Sequence, residues 1–278
     1  MLWYATKNVV FFLPGVKTLK LIVRRINIGP GFHASILKGL KVMSASIKES
    51  EKLVVLTVDE MATKENVVYD SKNDCIEGVE NFGDGETSHL VANHACVFMV
   101  RGLMQKWKQP VGYFFSSGPM AADLLKSKLL SCIGELESIG LNVKVVVCDQ
   151  GSNNRSMMKS LGVTVDSPHF EMNGKSLHVL YDPPHLLKNI CNNLKKSGFM
   201  VGDNRVDWSH ILTYFEIDSS LPIRMAPRLT ERDIELPAFS SMKVRRMVIS
   251  SSLNSAKSLH LRFLEESPCS CTKSLHGF

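Results

Sequence analysis

Two aspartates stand directly after runs of apolar residues, which gives them a possible role in metal chemistry. Asp59 follows the run from Val54 to Val58, and Asp149 follows the run from Val143 to Cys148. Each carboxylate is expected where a buried strand reaches the edge of a sheet, the place where open α/β sheets bind ligands. Two carboxylates brought together there repel each other unless a divalent cation lies between them. The pair therefore predicts a site for Mg²⁺ or Mn²⁺.

The chemistry of such a site would be phosphoryl transfer. Two metal ions about 4 Å apart can activate a water or a 3′-hydroxyl and stabilise the leaving oxygen of a phosphodiester. An aspartate that ends a strand is also commonly a helix cap or a turn former. Gly151, Ser152 and Asn153 precede a predicted helix from Arg155 to Leu161, which is compatible with either role of Asp149. Both interpretations stay open.

The elements that would position these residues alternate between strands and helices. Apolar or alternating runs predict strands over 53–58, 65–69, 75–79, 95–100, 143–148 and 177–181. Apolar residues at helical spacing predict a helix from Met120 to Ile139. The order favours an α/β domain with a mixed sheet.

A helix is predicted to begin just after the last of these strands. Asp182 can cap it, while Pro183 and Pro184 can occupy its first turn. His185 would then lie in that first turn. A histidine there can act in catalysis, but it is also often a packed or hydrogen-bonded support. We favour the supporting role.

The first fifty residues form a basic, helical zone. Apolar spacing predicts a helix, a turn at 29–31 and a second helix between Leu19 and Val42. Eight Lys and Arg residues stand against Glu49 alone, a balance of +7, whereas the whole chain carries +6 and the remainder therefore −1. Such a segment suits a nucleic-acid backbone, because neutralised phosphates release counterions; the alternative is a solvated helix face. The candidate DNA contacts are Lys17, Lys20, Arg24, Arg25, Lys38 and Lys41.

The chain is predicted to divide into three parts. Residues 1–49 are the basic helical segment, 50–198 the α/β domain, and 199–278 an α-rich unit without strand-like runs. The last residues show no periodicity, so we expect the α-rich unit to be truncated.

Several classes of protein are excluded. The longest apolar runs are far shorter than the ~20 residues of a membrane span, and the N-terminus does not resemble a secretory signal, so an intracellular protein is expected. Five of the seven cysteines lie in apolar or amphipathic runs and are predicted to be buried thiols, while Cys269 and Cys271 lack the spacing of a zinc site. No GxxxxGK[ST] loop is present, which excludes a P-loop GTPase. Four aromatic residues are predicted to be core rather than base-stacking surfaces: Trp107, Tyr113, Phe114 and Phe115.

Four strings resemble P-element-type transposases, the family that includes THAP-domain transposases. They are LTVDEM at 56–61, WKQPVGY at 107–113, CDQGSNN at 148–154 and DPPHLLKN at 182–189. The resemblance covers roughly residues 10–260. It implies an RNase H-like catalytic fold, in which Asp59 and Asp149 correspond to the first two members of an Asp, Asp, Glu triad.

The same resemblance implies a guanine-nucleotide-binding insertion after the α/β domain. RLT at 228–230 and MKV at 242–244 carry it, and the implied GTP contacts are Arg228, Lys243, Val244 and Ser252. The family's third acid follows this insertion, and Glu265 and Glu266 stand in the wrong context for it. The zinc-coordinating THAP domain of the family is also not expected here.

Two function classes follow from the resemblance. The first is a fragment of a nuclear DNA transposase that acts on transposon ends as a homo-oligomer, with Mg²⁺ or Mn²⁺ and GTP as cofactors. Loss of activity is expected for this chain. The second is a catalytically inactive derivative that binds DNA or protein. A membrane partner is expected in neither case.

Overall fold

The computed structural model describes residues 3–6, 9–12, 15–23, 29–71, 74–83, 85, 87–227 and 229–234. Fifteen strands and seven helices lie in this part of the chain: β1 (Trp3–Thr6), β2 (Val9–Phe12), α1 (Val16–Val23), β3 (Gly31–Phe32), α2 (Ala34–Ser46), β4 (Leu53–Ala62), β5 (Val68–Asp70), β6 (Cys75–Glu77), β7 (Val79–Asn81), β8 (Thr87–Val91), β9 (His94–Gly102), β10 (Lys108–Ser116), α3 (Ala122–Ser138), β11 (Asn142–Cys148), α4 (Ser152–Ser160), β12 (His169–Met172), β13 (Lys175–Tyr181), α5 (Pro183–Lys196), β14 (Phe199–Val201), β15 (Asn204–Val206), α6 (Trp208–Ser220) and α7 (Glu231–Ile234). A short 3₁₀ helix, Glu49–Lys52, precedes β4.

The chain forms two compact units. Residues up to 146 together with 156–179 make the first, and 147–155 together with the described residues from 180 to 234 belong to the second. The predicted division at residues 49 and 198 stays a prediction.

A nine-stranded sheet organises the first unit. The strand order is β12-β13-β11-β4-β9-β10-β7-β8. The ninth strand, β3, also pairs with β10 and is not part of this linear order. β4 and β9 are antiparallel from Val54↔Gly102 to Ala62↔His94. Helix α3 connects β10 to β11, which pairs with β4 on the far side of β9, so the chain crosses over between them. The predicted α/β class is confirmed.

The alternation of side chains along β4 explains how the core forms. Val54, Leu56 and Val58 are fully or almost fully buried, while the residues between them are partly exposed, as expected for a strand with period-two side chains. Helix α3 buries Leu129 and Ile133 completely, in agreement with the helical spacing that predicted it.

The predicted helix, turn and helix near the N-terminus correspond to α1 and α2. The turn predicted at 29–31 runs into strand β3, since Gly31 pairs with Tyr113 of β10. Gly31 has φ of +112°, and a Cβ atom there would stand 3.2 Å from the Cα of Gly83. Only glycine fits this conformation without strain. Ser44 anchors α2, because its buried hydroxyl donates to the carbonyl of Ile139 at 2.5 Å.

The second unit contains strands that the sequence analysis did not predict. β14 and β15 form an antiparallel hairpin from Phe199↔Val206 to Val201↔Asn204, so the prediction of a strand-free region after Phe199 is wrong. Strands of three residues are too short to show a period of two. The signal was the turn, where Gly202 adopts φ of +60°.

A small core and a buried ion pair follow this hairpin. Tyr214, Ala226, Leu229 and Ile234 form the buried cluster. Asp218, only 1% exposed, accepts hydrogen bonds from Arg224 Nε at 3.0 Å and from the Met225 backbone at 2.7 Å. This pair fixes the loop after α6 by satisfying a buried charge.

The cysteine and aromatic predictions are only partly correct. Cys96, Cys132, Cys148 and Cys191 are buried, but Cys75 is exposed because β5 and β6 form a separate two-stranded sheet. Cys269 and Cys271 lie outside the described residues.

Of the four predicted core aromatics, only Phe114 is fully buried, in edge-to-face contact with Phe32 and Phe98. Tyr113 and Phe115 point to the opposite face of β10, as alternation requires, and contact each other. Both are half-buried, as is Trp107.

Candidate functional site

Asp59 lies inside a strand rather than after one. β4 continues to Ala62, and Asp59 pairs with Val97 of β9. The prediction that the strand ends at Val58 is therefore wrong. The apolar run stops at Val58 because the core stops there, whereas the backbone pairing continues with exposed residues. The carboxylate is exposed, and its Oδ1 accepts the Glu60 backbone N–H at 3.0 Å.

The neighbouring residues make the surroundings of Asp59 electronegative. Burial, together with the nearby Glu60 and Asp59 carboxylates, raises the pKa of the Cys96 thiol to about 12. Glu60 also has a structural role that the sequence analysis passed over, since its Oε1 accepts the Met120 backbone N–H at 2.8 Å. The Cys96 side chain thus stays a neutral thiol beside two carboxylates.

Asp149 follows β11 as predicted, and one of its oxygens is held by two donors. Oδ1 accepts the Gly151 backbone N–H at 2.8 Å and the Asn154 side-chain amide at 2.5 Å. Within the part of the chain that the structure describes, no hydrogen bond reaches Oδ2. Asn154 is only 9% exposed, and its own Oδ1 is buried without a partner among these residues.

The two roles considered for Asp149 are therefore compatible. One oxygen forms the turn that leads into α4, as a turn former does. The same two donors fix the direction of the carboxylate. The sequence analysis did not identify Asn154. The available signal was an amide side chain five residues after Asp149, in the first turn of the helix.

Asp182 and His185 support the strand end that precedes Asp149. Asp182 caps α5 by accepting the His185 backbone N–H at 3.3 Å, and Pro183 begins the helix, as predicted. The Asp182 carboxylate also contacts Nδ1 of the His185 ring. The Asp182 backbone N–H donates to the Cys148 carbonyl at 2.9 Å, directly before Asp149.

The remaining candidate residues fall into two groups. Lys17 lies exposed on α1, and Lys38 and Lys41 lie exposed on α2; Lys20 belongs to α1. The others lie outside the described residues: Arg24, Arg25, Arg228, Lys243, Val244, Ser252, Glu265 and Glu266. The described residues contain no group of three or more His, Cys, Asp or Glu side chains able to hold a metal ion.

Comparison with solved structures identifies the fold of this chain. A Drosophila P element transposase strand transfer complex contains a chain that matches 91% of this one, with a TM-score of 0.72, 23% identity and 53% of that chain covered. The predicted RNase H-like fold, a mixed sheet flanked by helices, is thereby confirmed. The family model "TNP-like, RNase H N-terminal domain" matches residues 28–162.

Two curated proteins are similar to this chain in sequence. The chain is 26% identical to the human DNA transposase THAP9 over 216 residues, which cover 72% of this chain and 23% of that protein. It is 24% identical to the Transposable element P transposase of Drosophila melanogaster over 205 residues, or 73% of this chain and 25% of that protein. The chain is thus related to P-element-type transposases, and it spans about a quarter of the length of these relatives.

In the described part of the chain, no helix is both long and apolar enough to span a membrane.

Proposed function

We propose that this chain is the RNase H-like portion of a DNA transposase in which Asp59 and Asp149 bind divalent metal ions. The observation that carries the proposal is the strand order. β4, which contains Asp59, is the sheet neighbour of β11, which ends directly before Asp149. Its relation to proteins named as transposases supplies the reaction class.

The donor chemistry fits Mg²⁺ or Mn²⁺. Both ions prefer carboxylate oxygens, and Asp59 is exposed while Asp149 keeps one oxygen without a hydrogen bond from the described residues. Such ions activate a water or hydroxyl nucleophile and stabilise the leaving oxygen when bound. The protein's own contribution is orientation: Gly151 and Asn154 hold Asp149, and Asp182 anchors Cys148 with His185 as its support.

The basic N-terminal segment is proposed to contact the DNA backbone. Lys38 and Lys41 are exposed on α2, and the helix carries no acidic residue that would cancel their charge. Binding should therefore weaken steeply with salt. Transposon ends are the proposed DNA, the nucleus the proposed compartment, and a homo-oligomer the proposed assembly.

The guanine-nucleotide site is a separate proposal. The resemblance assigns contacts with GTP to Arg228, Lys243, Val244 and Ser252. We expect GTP binding by this chain to be weak.

The second candidate is a derivative that binds DNA or protein without catalysis. It is favoured by the hydrogen bonds of Asp149, since the turn into α4 requires this residue whether or not a metal is bound. The two candidates differ in whether Asp149 binds a metal ion.

A Mn²⁺ titration by calorimetry separates them. We expect the chain to bind Mn²⁺, and Asp59→Asn and Asp149→Asn to weaken binding. Asp166→Asn, in an exposed turn, is the matched control and should bind normally. Equal Mn²⁺ affinity of Asp149→Asn and the unsubstituted chain would refute the metal proposal. Strand cleavage by this chain is expected to be undetectable, because the described residues hold no third acid in a group with Asp59 and Asp149, and the second ion would be short of a ligand.

A further inference from the structure

We propose that His169 and His178 form a second metal site, one that binds Zn²⁺ or a similar nitrogen-preferring dication. The two histidines lie on the β12–β13 hairpin at an edge of the sheet. Imidazole nitrogen suits Zn²⁺, Cu²⁺ and Ni²⁺, whereas Mg²⁺ and Mn²⁺ prefer oxygen. The site is thus chemically separate from the carboxylates at Asp59 and Asp149.

The strand register brings the two side chains together. His169 stands directly opposite His178 in the antiparallel pair. Val179 donates its backbone N–H to the Pro168 carbonyl at 2.9 Å, which makes Pro168 and Val179 the hydrogen-bonded pair. His169 and His178, one position along, are therefore a non-hydrogen-bonded pair, the arrangement in which facing side chains approach most closely.

The ring positions are near those of two imidazoles on one ion. The ring centroids are 6.0 Å apart, with the ring planes inclined by 58°. Metal–nitrogen bonds of about 2.0–2.1 Å place the centroids of two ligands on one ion roughly 5 Å apart. A side-chain rotation that brings the two ring centroids about 1 Å closer is enough for both rings to bind one ion. His178 is exposed, so its ring can make this rotation. Ser167 Oγ lies 3.5 Å from Nδ1 of His169, which leaves Nε2 for the ion.

The opposite face of the hairpin fixes the direction of the pair. Phe170, Leu177 and Val179 are buried on that face, so the histidines point away from the core of the first unit. With two protein ligands, water or a group of a bound molecule completes the coordination, as in zinc sites that keep open positions.

The test follows individual histidine rings during a Zn²⁺ titration of the full chain in excess Mg²⁺. A ¹H–¹⁵N spectrum of the imidazoles is required because the cysteines of the chain can also bind Zn²⁺. We expect the His169 and His178 resonances to shift together in one saturable step. In His169→Gln, the affinity reported by His178 should fall at least about tenfold, since even outer groups around a metal contribute 10–100-fold. His178→Gln should have the same effect on His169.

His89→Gln is the matched control, an exposed strand histidine on β8 away from the pair. It should leave the shared step unchanged, and Ni²⁺ should reproduce that step by broadening the same two rings. The proposal is overturned if neither ring responds to Zn²⁺, or if either ring titrates with unchanged affinity after its partner is replaced. Because both substitutions lie on the outward face of an edge hairpin, thermal melting should be the same for all variants.

Discussion

Replacing Asn154 with alanine tests whether the turn around Asp149 prepares that residue for a metal ion. The substitution removes the 2.5 Å bond to Oδ1 and leaves only the Gly151 N–H at 2.8 Å. Groups that orient a metal-binding carboxylate typically contribute 10–100-fold to affinity, or about 1.4–2.7 kcal/mol. We therefore expect Mn²⁺ affinity to fall by about this factor.

The stability of the fold should change much less than the metal affinity. A hydrogen bond to a charged group contributes about 1.5–3 kcal/mol, but a buried polar atom without a partner costs about 1–3 kcal/mol. Asn154 provides both, since its amide nitrogen bonds Asp149 while its oxygen is buried and unpaired among the described residues. The two effects largely offset each other when the side chain is removed.

The assay is calorimetric Mn²⁺ titration beside thermal unfolding. Asn193→Ala, at an exposed position of α5, is the control and should match the unsubstituted chain in both. Asp149→Asn reports whether Asp149 binds the metal at all. If Asp149→Asn abolishes Mn²⁺ binding while Asn154→Ala leaves it intact, the orienting role assigned to Asn154 is refuted and the metal proposal survives.

Three further predictions concern other parts of the chain. Lys38→Gln and Lys41→Gln should each reduce the slope of log K against log salt for DNA by about 0.9, and an unchanged slope in filter-binding titrations would identify a solvated helix face. GTP affinity measured by calorimetry should be weak, and micromolar binding lost in Lys243→Ala would contradict this. At pH 8 a maleimide should label the exposed Cys75 quickly and Cys96 only on unfolding, because Cys96 is buried and its pKa is raised to about 12. Mass spectrometry of peptides from the labelled native chain measures this, and a labelled Cys96 would contradict the prediction.

The sequence predicted elements best where periodicity and core burial coincide. Helix α3 and strand β11 lie where the apolar spacing placed them, and the cap at Asp182 was visible as an Asp-Pro-Pro string. The predictions were wrong where backbone pairing continues through residues that are not buried in the core. β4 extends past Val58 with exposed residues, and Cys75 lies in a strand of a separate small sheet.

Pairing partners were harder to predict than elements. A run of apolar residues identifies a strand, but it does not say which strand lies beside it. β11 pairs with β4 although β9 and β10 lie between them in the sequence, and this pairing depends on the crossover through α3. The order of elements suggested an α/β sheet, while the neighbour relation came from the structure.

The two aspartates differ in how the chain positions them, and this difference explains why the surroundings of Asp149 were easier to predict from the sequence than those of Asp59. Asp149 is fixed by donors at positions 151 and 154, so its geometry belongs to a six-residue string that a reader can inspect directly. Asp59 is positioned by pairing with β9, whose residues 94–102 are distant in sequence. Changes in β9 should therefore disturb Asp59 and leave the turn at Asp149 intact, whereas changes at 151 or 154 act on Asp149 alone. If a substitution in β9 abolished metal binding, the cause would therefore be a disturbed sheet. If a substitution at Asn154 did so, the cause would be the altered orientation of the Asp149 carboxylate alone.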